Sequence, residues 1–185
     1  MSLLTRPLTY ADVRALPPDG HRYEIIDEEL VVSAAPNKKH ARWSGMLFDL
    51  LREREKAGLG EAYHAPVDVR LFPDRDTPIL QPDLLFIRRE RLPIFGPDLI
   101  EGAPDLVVEI LSPSTRTLDL TRKAQLYAEA GVPEYWVADP DEPAFRLYAL
   151  RGGRYVEIPA EGGRVASTIV PGLSVDLGTL FDLLG

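Results

Sequence analysis

The chain has 185 residues, of which 45% are hydrophobic, and its 21 basic against 29 acidic side chains give a net charge of −8. That length suits a single core and predicts one domain over residues 1–185. Cysteine is absent, which excludes a disulfide framework, thiolate zinc, iron–sulfur ligation and a cysteine nucleophile.

The three histidines, His21, His40 and His64, do not fall at metal-ligand spacing. An acidic molecule repels polyanions at long range, so broad capture of nucleic acid is not expected, although a local basic cleft is compatible with that charge. No apolar run approaches the ~20 residues of a membrane span. The first residues show no basic start followed by an apolar stretch, so the sequence predicts no secretory leader and a cytoplasmic protein. One asparagine, two glutamines, 17 prolines and arginine at 17 of the 21 basic positions are a composition associated with heat resistance.

In chain order, residues 9–16 read as a first helix, with Thr9 as N-cap, Asp12 three residues on and Pro17-Pro18 to end it. Residues 23–27 and 30–33 read as strands joined by a tight acidic turn. Asn37 caps a helix running to Lys56, with Gly58 beyond it. Its Trp43, Leu47, Leu50 and Leu51 fall at i, i+4, i+7 and i+8, one apolar stripe against a core. Strand-like runs follow at 63–71, 84–87 and 106–111. Residues 72–81 form a proline- and aspartate-rich turn, and 88–104 a loop. A second long helix takes 118–130, closed by Gly131 and Pro133. Residues 134–138 form a strand and 139–141 a turn. The runs 145–150, 154–158 and 164–169 predict a short antiparallel meander, and 176–184 a final helix. The class is mixed α/β.

Two acids interrupt apolar strands: Asp83 in Gln81-Pro82-Asp83-Leu84-Leu85-Phe86-Ile87, and Glu109 in Leu106-Val107-Val108-Glu109-Ile110-Leu111. Burying an unpaired carboxylate costs several kcal/mol or forces its protonation, so something cationic must compensate. Mg²⁺ or Mn²⁺, held by one or two carboxylates plus waters, suits such a pair; an arginine ion pair is the alternative. Lys123 follows shortly, and a mobile point charge there could stabilise a phosphorane oxygen or orient a water. Asp119, four residues before it, offers instead an ordinary helix-surface pair.

The order of carboxylate, strand, Pro82-Asp83, a strand with Glu109, then a helix with Lys123 resembles the PD-(D/E)xK nuclease superfamily. More closely it resembles the bacterial Uma-two family of restriction-endonuclease-like proteins. The resemblance rests on Tyr23-Glu24-Ile25-Ile26-Asp27, Glu29-Leu30, His40, Pro82-Asp83 and the run from Val108 to Thr115. It continues through Lys123 with Tyr127 and the run from Gly131 to Val137, so that it covers residues 8 to about 177.

It implies a restriction-endonuclease-like core: a mixed β-sheet flanked by helices, with a C-terminal antiparallel meander. It also implies a metal-dependent endonuclease hydrolysing phosphodiester bonds in DNA, with a site of Glu24, Asp83, Glu109 and Lys123. Asp83 and Glu109 would hold Mg²⁺ or Mn²⁺ with the Ile110 carbonyl, Lys123 would polarise the attacking water or the phosphate, and Glu24 would complete an acidic rim. A homodimer pairing through the meander is expected by the same resemblance.

The chain departs from the family pattern twice. The usual lysine stands two residues after the acid, where this chain has Leu111, and the first hairpin usually turns at a glycine, where it has Glu28. His40 reads either as a phosphate contact or base, or as a polar residue in the first turn of a helix. Lys38-Lys39 with Arg42, Arg88-Arg89 with Arg91, and Arg116 with Arg122 read either as a cleft rim or as solvated faces. The hydroxyls of the Ser112 to Thr115 run lack a Gly-x-Ser-x-Gly elbow and read as a loop. The acidic charge and Leu111 leave two rival readings: a non-catalytic binding or scaffold protein, and a metal-dependent hydrolase of small phosphate esters.

Overall fold

A computed structural model of the protein describes residues 6–184; the expectation drawn from the chain's first residues falls partly on 1–5, outside the described residues. The chain opens with helix α1 (Tyr10–Arg14), the hairpin of β1 (Arg22–Ile26) and β2 (Glu29–Ser33), and helix α2 (Lys38–Lys56). Strands β3 (Gly60–His64), β4 (Val69–Arg70), β5 (Ile79–Leu80), β6 (Leu84–Arg88), β7 (Ile100–Glu101) and β8 (Leu106–Ile110) follow. Next come α3 (Arg116–Leu118), a π turn (Asp119–Lys123) and α4 (Ala124–Ala130). The chain ends with β9 (Glu134–Asp139), β10 (Ala144–Arg151), β11 (Arg154–Ile158), β12 (Arg164–Ala166), β13 (Ser174–Asp176) and α5 (Leu177–Leu184).

Six strands form one mixed sheet in the order β11-β10-β9-β8-β6-β3. Its β8–β9 pair is parallel and its other neighbours antiparallel. A parallel pair needs a crossover connection, which α3, the π turn and α4 supply. A second sheet runs β2-β1-β5-β4-β7. The central strands of the larger sheet are apolar on both faces because both faces are covered. Leu84, Phe86, Leu106, Val108, Ile110 and Trp136 point to the face packed with Trp43, Leu47 and Leu51 of α2. Leu85, Ile87, Val107, Leu111, Tyr135 and Val137 point the other way, toward Leu126 and Tyr127 of α4 and toward Ile26, Val69 and Leu80 of the second sheet. Period-two geometry puts Glu109 on that second face, between Val107 and Leu111.

The mixed α/β core with covering helices is therefore as expected, and four local readings are corrected. The run 63–71 is two strands in different sheets, because Pro66 lacks an N–H for the ladder and ends β3's pairing. The turn 72–81 contains β5, which joins β1 to β4. The loop 88–104 holds a 3-10 turn at Arg89–Ile94 and the strand β7. Only 164–166 of the expected third meander strand is extended, and it pairs with β13 rather than β11. The cause is the buried Glu134: its carboxylate accepts hydrogen bonds from Ser167 Oγ at 2.8 Å, from Thr168 Oγ1 at 2.8 Å and from the Thr168 N–H, which takes that backbone out of any ladder.

The first hairpin turns at Asp27 and Glu28 with φ of 52° and 65°, the left-handed pair that a two-residue hairpin demands. Asp27 is then held by Arg122, whose Nε donates at 2.7 Å. Among the described residues no helix is long and apolar enough to cross a membrane.

Candidate functional site

The two acids singled out in the sequence lie side by side at the β6–β8 step. Asp83, just before β6, is 3% exposed. Its Oδ2 accepts the Ile110 N–H at 2.7 Å and lies 3.2 Å from His40 Nε2, while Oδ1 accepts from Arg22 at 2.6 Å. Burial alone would raise its pKa, but the His40 contact, Arg22 and the Ile110 N–H outweigh that and hold the carboxyl well below the usual range. His40 reaches it because Asn37 caps α2, its side chain accepting the His40 N–H at 3.0 Å and so fixing the first turn.

Glu109 is buried one strand over. Its Oε1 accepts from Lys123 Nζ at 2.6 Å and from the Tyr127 hydroxyl at 2.6 Å. Complete burial pushes the carboxyl up to about 8, against the pull of Lys123 and with help from Asp119, Asp83 and Glu24. Burial alone would lower Lys123, but Glu109, Glu24 and Asp119 together raise it well above the ordinary lysine value. Lys123 is therefore a fixed cation. It also lies 3.1 Å from Glu24 Oε1 and 3.6 Å from Asp119 Oδ1. Glu24, in mid-β1, accepts the Gln81 N–H at 2.8 Å through the same oxygen.

The π turn makes this possible. It places Asp119 and Lys123 both inward, where the sequence allowed a pair on the helix surface; such turns are frequent at functional sites. Leu111, two residues after Glu109, is buried apolar packing, and the amine beside Glu109 comes from Lys123 instead.

These groups lie around a cavity of about 270 Å³. Arg22, Glu24, His40, Asp83, Asp119 and Lys123 line it, and the loop 112–115 forms one wall with its hydroxyls. Glu109 does not line it and sits behind Lys123. All five residues singled out in the sequence are thus drawn together: Glu24, His40, Asp83 and Lys123 on the wall, and Glu109 beneath. Sequence reasoning missed Arg22, although it stands two residues before Glu24 in one strand and so on the same face.

The cluster holds four carboxylates, Glu24, Asp83, Glu109 and Asp119, against the two permanent cations Arg22 and Lys123. Glu24, Asp83 and Asp119 line the cavity, and that set of carboxylate oxygens fits a hard divalent cation. Among the described residues no group of three or more His, Cys, Asp or Glu converges as a ligand cage. Mg²⁺ does not require one, since it keeps several waters and takes one or two carboxylates plus phosphate oxygens.

Most of the other basic groups are engaged elsewhere. Arg88 and Arg91 hold the fully buried Asp105 at 2.8 and 3.1 Å, Arg116 binds Asp139 at 2.6 Å, and Arg122 binds Asp27. Lys38, Lys39 and Arg42 line a neighbouring cavity at the start of α2, and Lys39 lies 3.6 Å from Asp141.

Comparison with known proteins gives a family and a fold. Residues 10–178 match the profile of the family Uma2, described as "Putative restriction endonuclease". Among solved structures the chain is similar to "a putative nuclease belonging to DUF820 from Anabaena variabilis ATCC 29413", with a TM-score of 0.77 and 20% identity, over 97% of this chain and 100% of that one. No curated protein matches.

Proposed function

The chain belongs to the Uma2 family of restriction-endonuclease-like proteins, and from that premise we propose that it is a metal-dependent endonuclease hydrolysing phosphodiester bonds in DNA. The observation that carries this reading is the buried Lys123, held among Glu24, Glu109 and Asp119 at the edge of an open cavity that Asp83 also lines. Asp83 and Glu109 are the residues to hold Mg²⁺ or Mn²⁺. Such an ion, when bound, supplies Lewis acidity at a phosphoryl oxygen and an acidified water.

The chain's own groups do the rest. Lys123 presents a fixed positive charge where negative charge grows on the phosphoryl oxygens, and it needs no reorganisation because neighbouring acidic side chains already hold it. Arg22 and His40 fix the orientation of Asp83, which accepts from three donors and keeps room for a further contact among its roughly four lone-pair sites. The lysines at the head of α2 offer a phosphate backbone a local foothold in an otherwise acidic molecule. Two chains would pair along β11, one of the two edge strands of the larger sheet, where Val156 is 50% exposed.

Calorimetric titration of Mn²⁺ into the wild type and into the Asp83→Ala, Glu109→Ala double variant tests the site without a choice of substrate. Saturable binding that the double variant loses is expected, together with loss of DNA cleavage. A double variant that cleaves as well as wild type refutes the assignment. A non-catalytic binding protein is the second reading, favoured by the way Arg22, His40 and the Ile110 N–H already engage Asp83. Absence of Mn²⁺ binding in the wild type would select it.

A further inference from the structure

The cavity around Lys123 does not end at Asp83. A second cavity, about 350 Å³, shares Arg22, Pro36, His40 and Asp83 with it and continues along α2 toward β3. The groove therefore passes directly over the His40–Asp83–Arg22 contact, with the reactive cluster on one side and a different surface on the other.

That other surface has its own chemistry. Ala41, Ser44, Gly45 and Phe48 recur at i, i+3, i+4 and i+7, so they form one face of α2. The first three are small and leave the groove open. At its far end Phe48 meets His64 of β3 edge to face, ring centres 4.9 Å apart. His64 is exposed and Phe48 half-buried, so the pair presents aromatic surface beside a cation, Arg22, and the His40 imidazole. A volume of this size is in the range of small-ligand sites.

The combination of an aromatic platform, an open floor and a neighbouring cation is the one that single-stranded nucleic acid uses: bases stack on the rings while positive groups follow the phosphates. We infer that this second cavity is a nucleobase subsite, which seats the nucleotide next to the phosphate held at Asp83 and Lys123. The inference rests on the endonuclease reading and refines it. The substrate is engaged as an unstacked strand, and the base at that position contributes to binding.

Gly45 gives a clean test, because a Cβ there meets nothing within 4 Å and leucine favours a helix over glycine. Gly45→Leu should fill the groove with the fold intact, verified by thermal melting. Binding of a fluorescent single-stranded oligonucleotide is measured by anisotropy in EDTA, so that no cleavage intervenes, against a strand with the same phosphates but abasic throughout. The wild type should prefer the base-bearing strand by roughly tenfold or more, the value of a stacked base. Gly45→Leu should lose that preference while keeping its affinity for the abasic strand, and His64→Ala should lose part of it.

Equal affinity of the wild type for the two strands, no binding of either, or an unchanged preference in Gly45→Leu overturns the inference. A second assay with Mn²⁺ separates the two readings. Base-dependent binding without hydrolysis ends the endonuclease reading and leaves the subsite standing. Hydrolysis indifferent to bases does the reverse.

Discussion

Replacing Lys123 by methionine keeps most of the side chain's shape and removes its charge. The lysine is 1% exposed, and its nitrogen lies 2.6, 3.1 and 3.6 Å from Glu109, Glu24 and Asp119. Removing one partner from a buried ion cluster typically costs about 3–5 kcal/mol, because the remaining charge has no compensation. Here Glu109 can answer by keeping its proton, while Glu24 and Asp119 lose their cation, so the lower part of that range is expected at pH 8.

The pH dependence follows from the two raised groups. Lys123 is raised above its ordinary 10.5, so its contribution is complete below that value and is lost only as pH climbs through the higher folded one. It is constant from pH 5 to 8. Glu109 is raised from 4.5 to about 8, so the folded state keeps a proton that the unfolded chain releases. That contribution is full below 4.5 and lost as pH rises toward 8. Wild-type Glu109 already keeps that proton up to about 8, so the decline belongs to both proteins and Lys123→Met adds little to it. Each extra proton held costs about 1.4 kcal/mol per pH unit, hence up to about 3 kcal/mol between pH 5.5 and 8. Urea unfolding of both proteins at those two pH values reads this directly. A Lys123→Met variant that loses less than about 1 kcal/mol at pH 8, or a wild type equally stable at both pH values, refutes the charge accounting.

Four further variants or conditions probe other parts of the structure. Glu28→Gly removes a β-carbon from a left-handed position at φ 65° and should stabilise the chain by about 1 kcal/mol in the same urea assay; a destabilised variant would show that the side chain matters more than the turn. Asp105→Ala takes the buried partner from Arg88 and Arg91, which are themselves about a third exposed, and should cost about 1–3 kcal/mol for the lost hydrogen bonds, while Mn²⁺ binding by the folded fraction stays unchanged. Mn²⁺ affinity should rise from pH 6.5 to 8, since the ion displaces the proton on Glu109; calorimetry in buffers of different ionisation enthalpy should show that proton released, and a pH-independent affinity counts against Glu109 as a ligand. Calorimetric melting should lie above the ~45–65 °C of ordinary mesophile domains, and a midpoint near 50 °C would separate the arginine- and proline-rich composition from heat resistance.

Much of the fold was legible where one physical signal dominated. The apolar stripe of α2, the doubly apolar runs of β6 and β8, and Gly131 at the end of α4 each carry their structure in local spacing. Strands of two residues, such as β4, β5 and β7, were not legible, because no period can be read from two positions and their place is set by partners far along the chain. The third meander strand failed for another reason: a buried carboxylate, Glu134, captured the donors a ladder would have used. In the site, Asp83 and Glu109 stood out as acids in apolar surroundings. Asp105 and Glu134 are as deeply buried and equally acidic, yet they serve structure alone, and the sequence offered no sign of which acids would open onto a cavity. The π turn, which directs Asp119 and Lys123 inward together, leaves no mark in composition.

The two-sided burial of β8 has a consequence for how the chain finds its native arrangement. A strand with apolar residues on both faces could slide by one position and still cover both faces with oil-like side chains, so greasiness alone barely distinguishes the right pairing from its neighbour. Glu109 removes that ambiguity. In the native frame it meets Lys123 and Tyr127; one step over it would face Trp43 and Leu47 with nothing to neutralise it. The acid proposed as a metal ligand therefore also acts as the strand's alignment mark, and a chain that replaced it with a hydrophobe would give up that parity check.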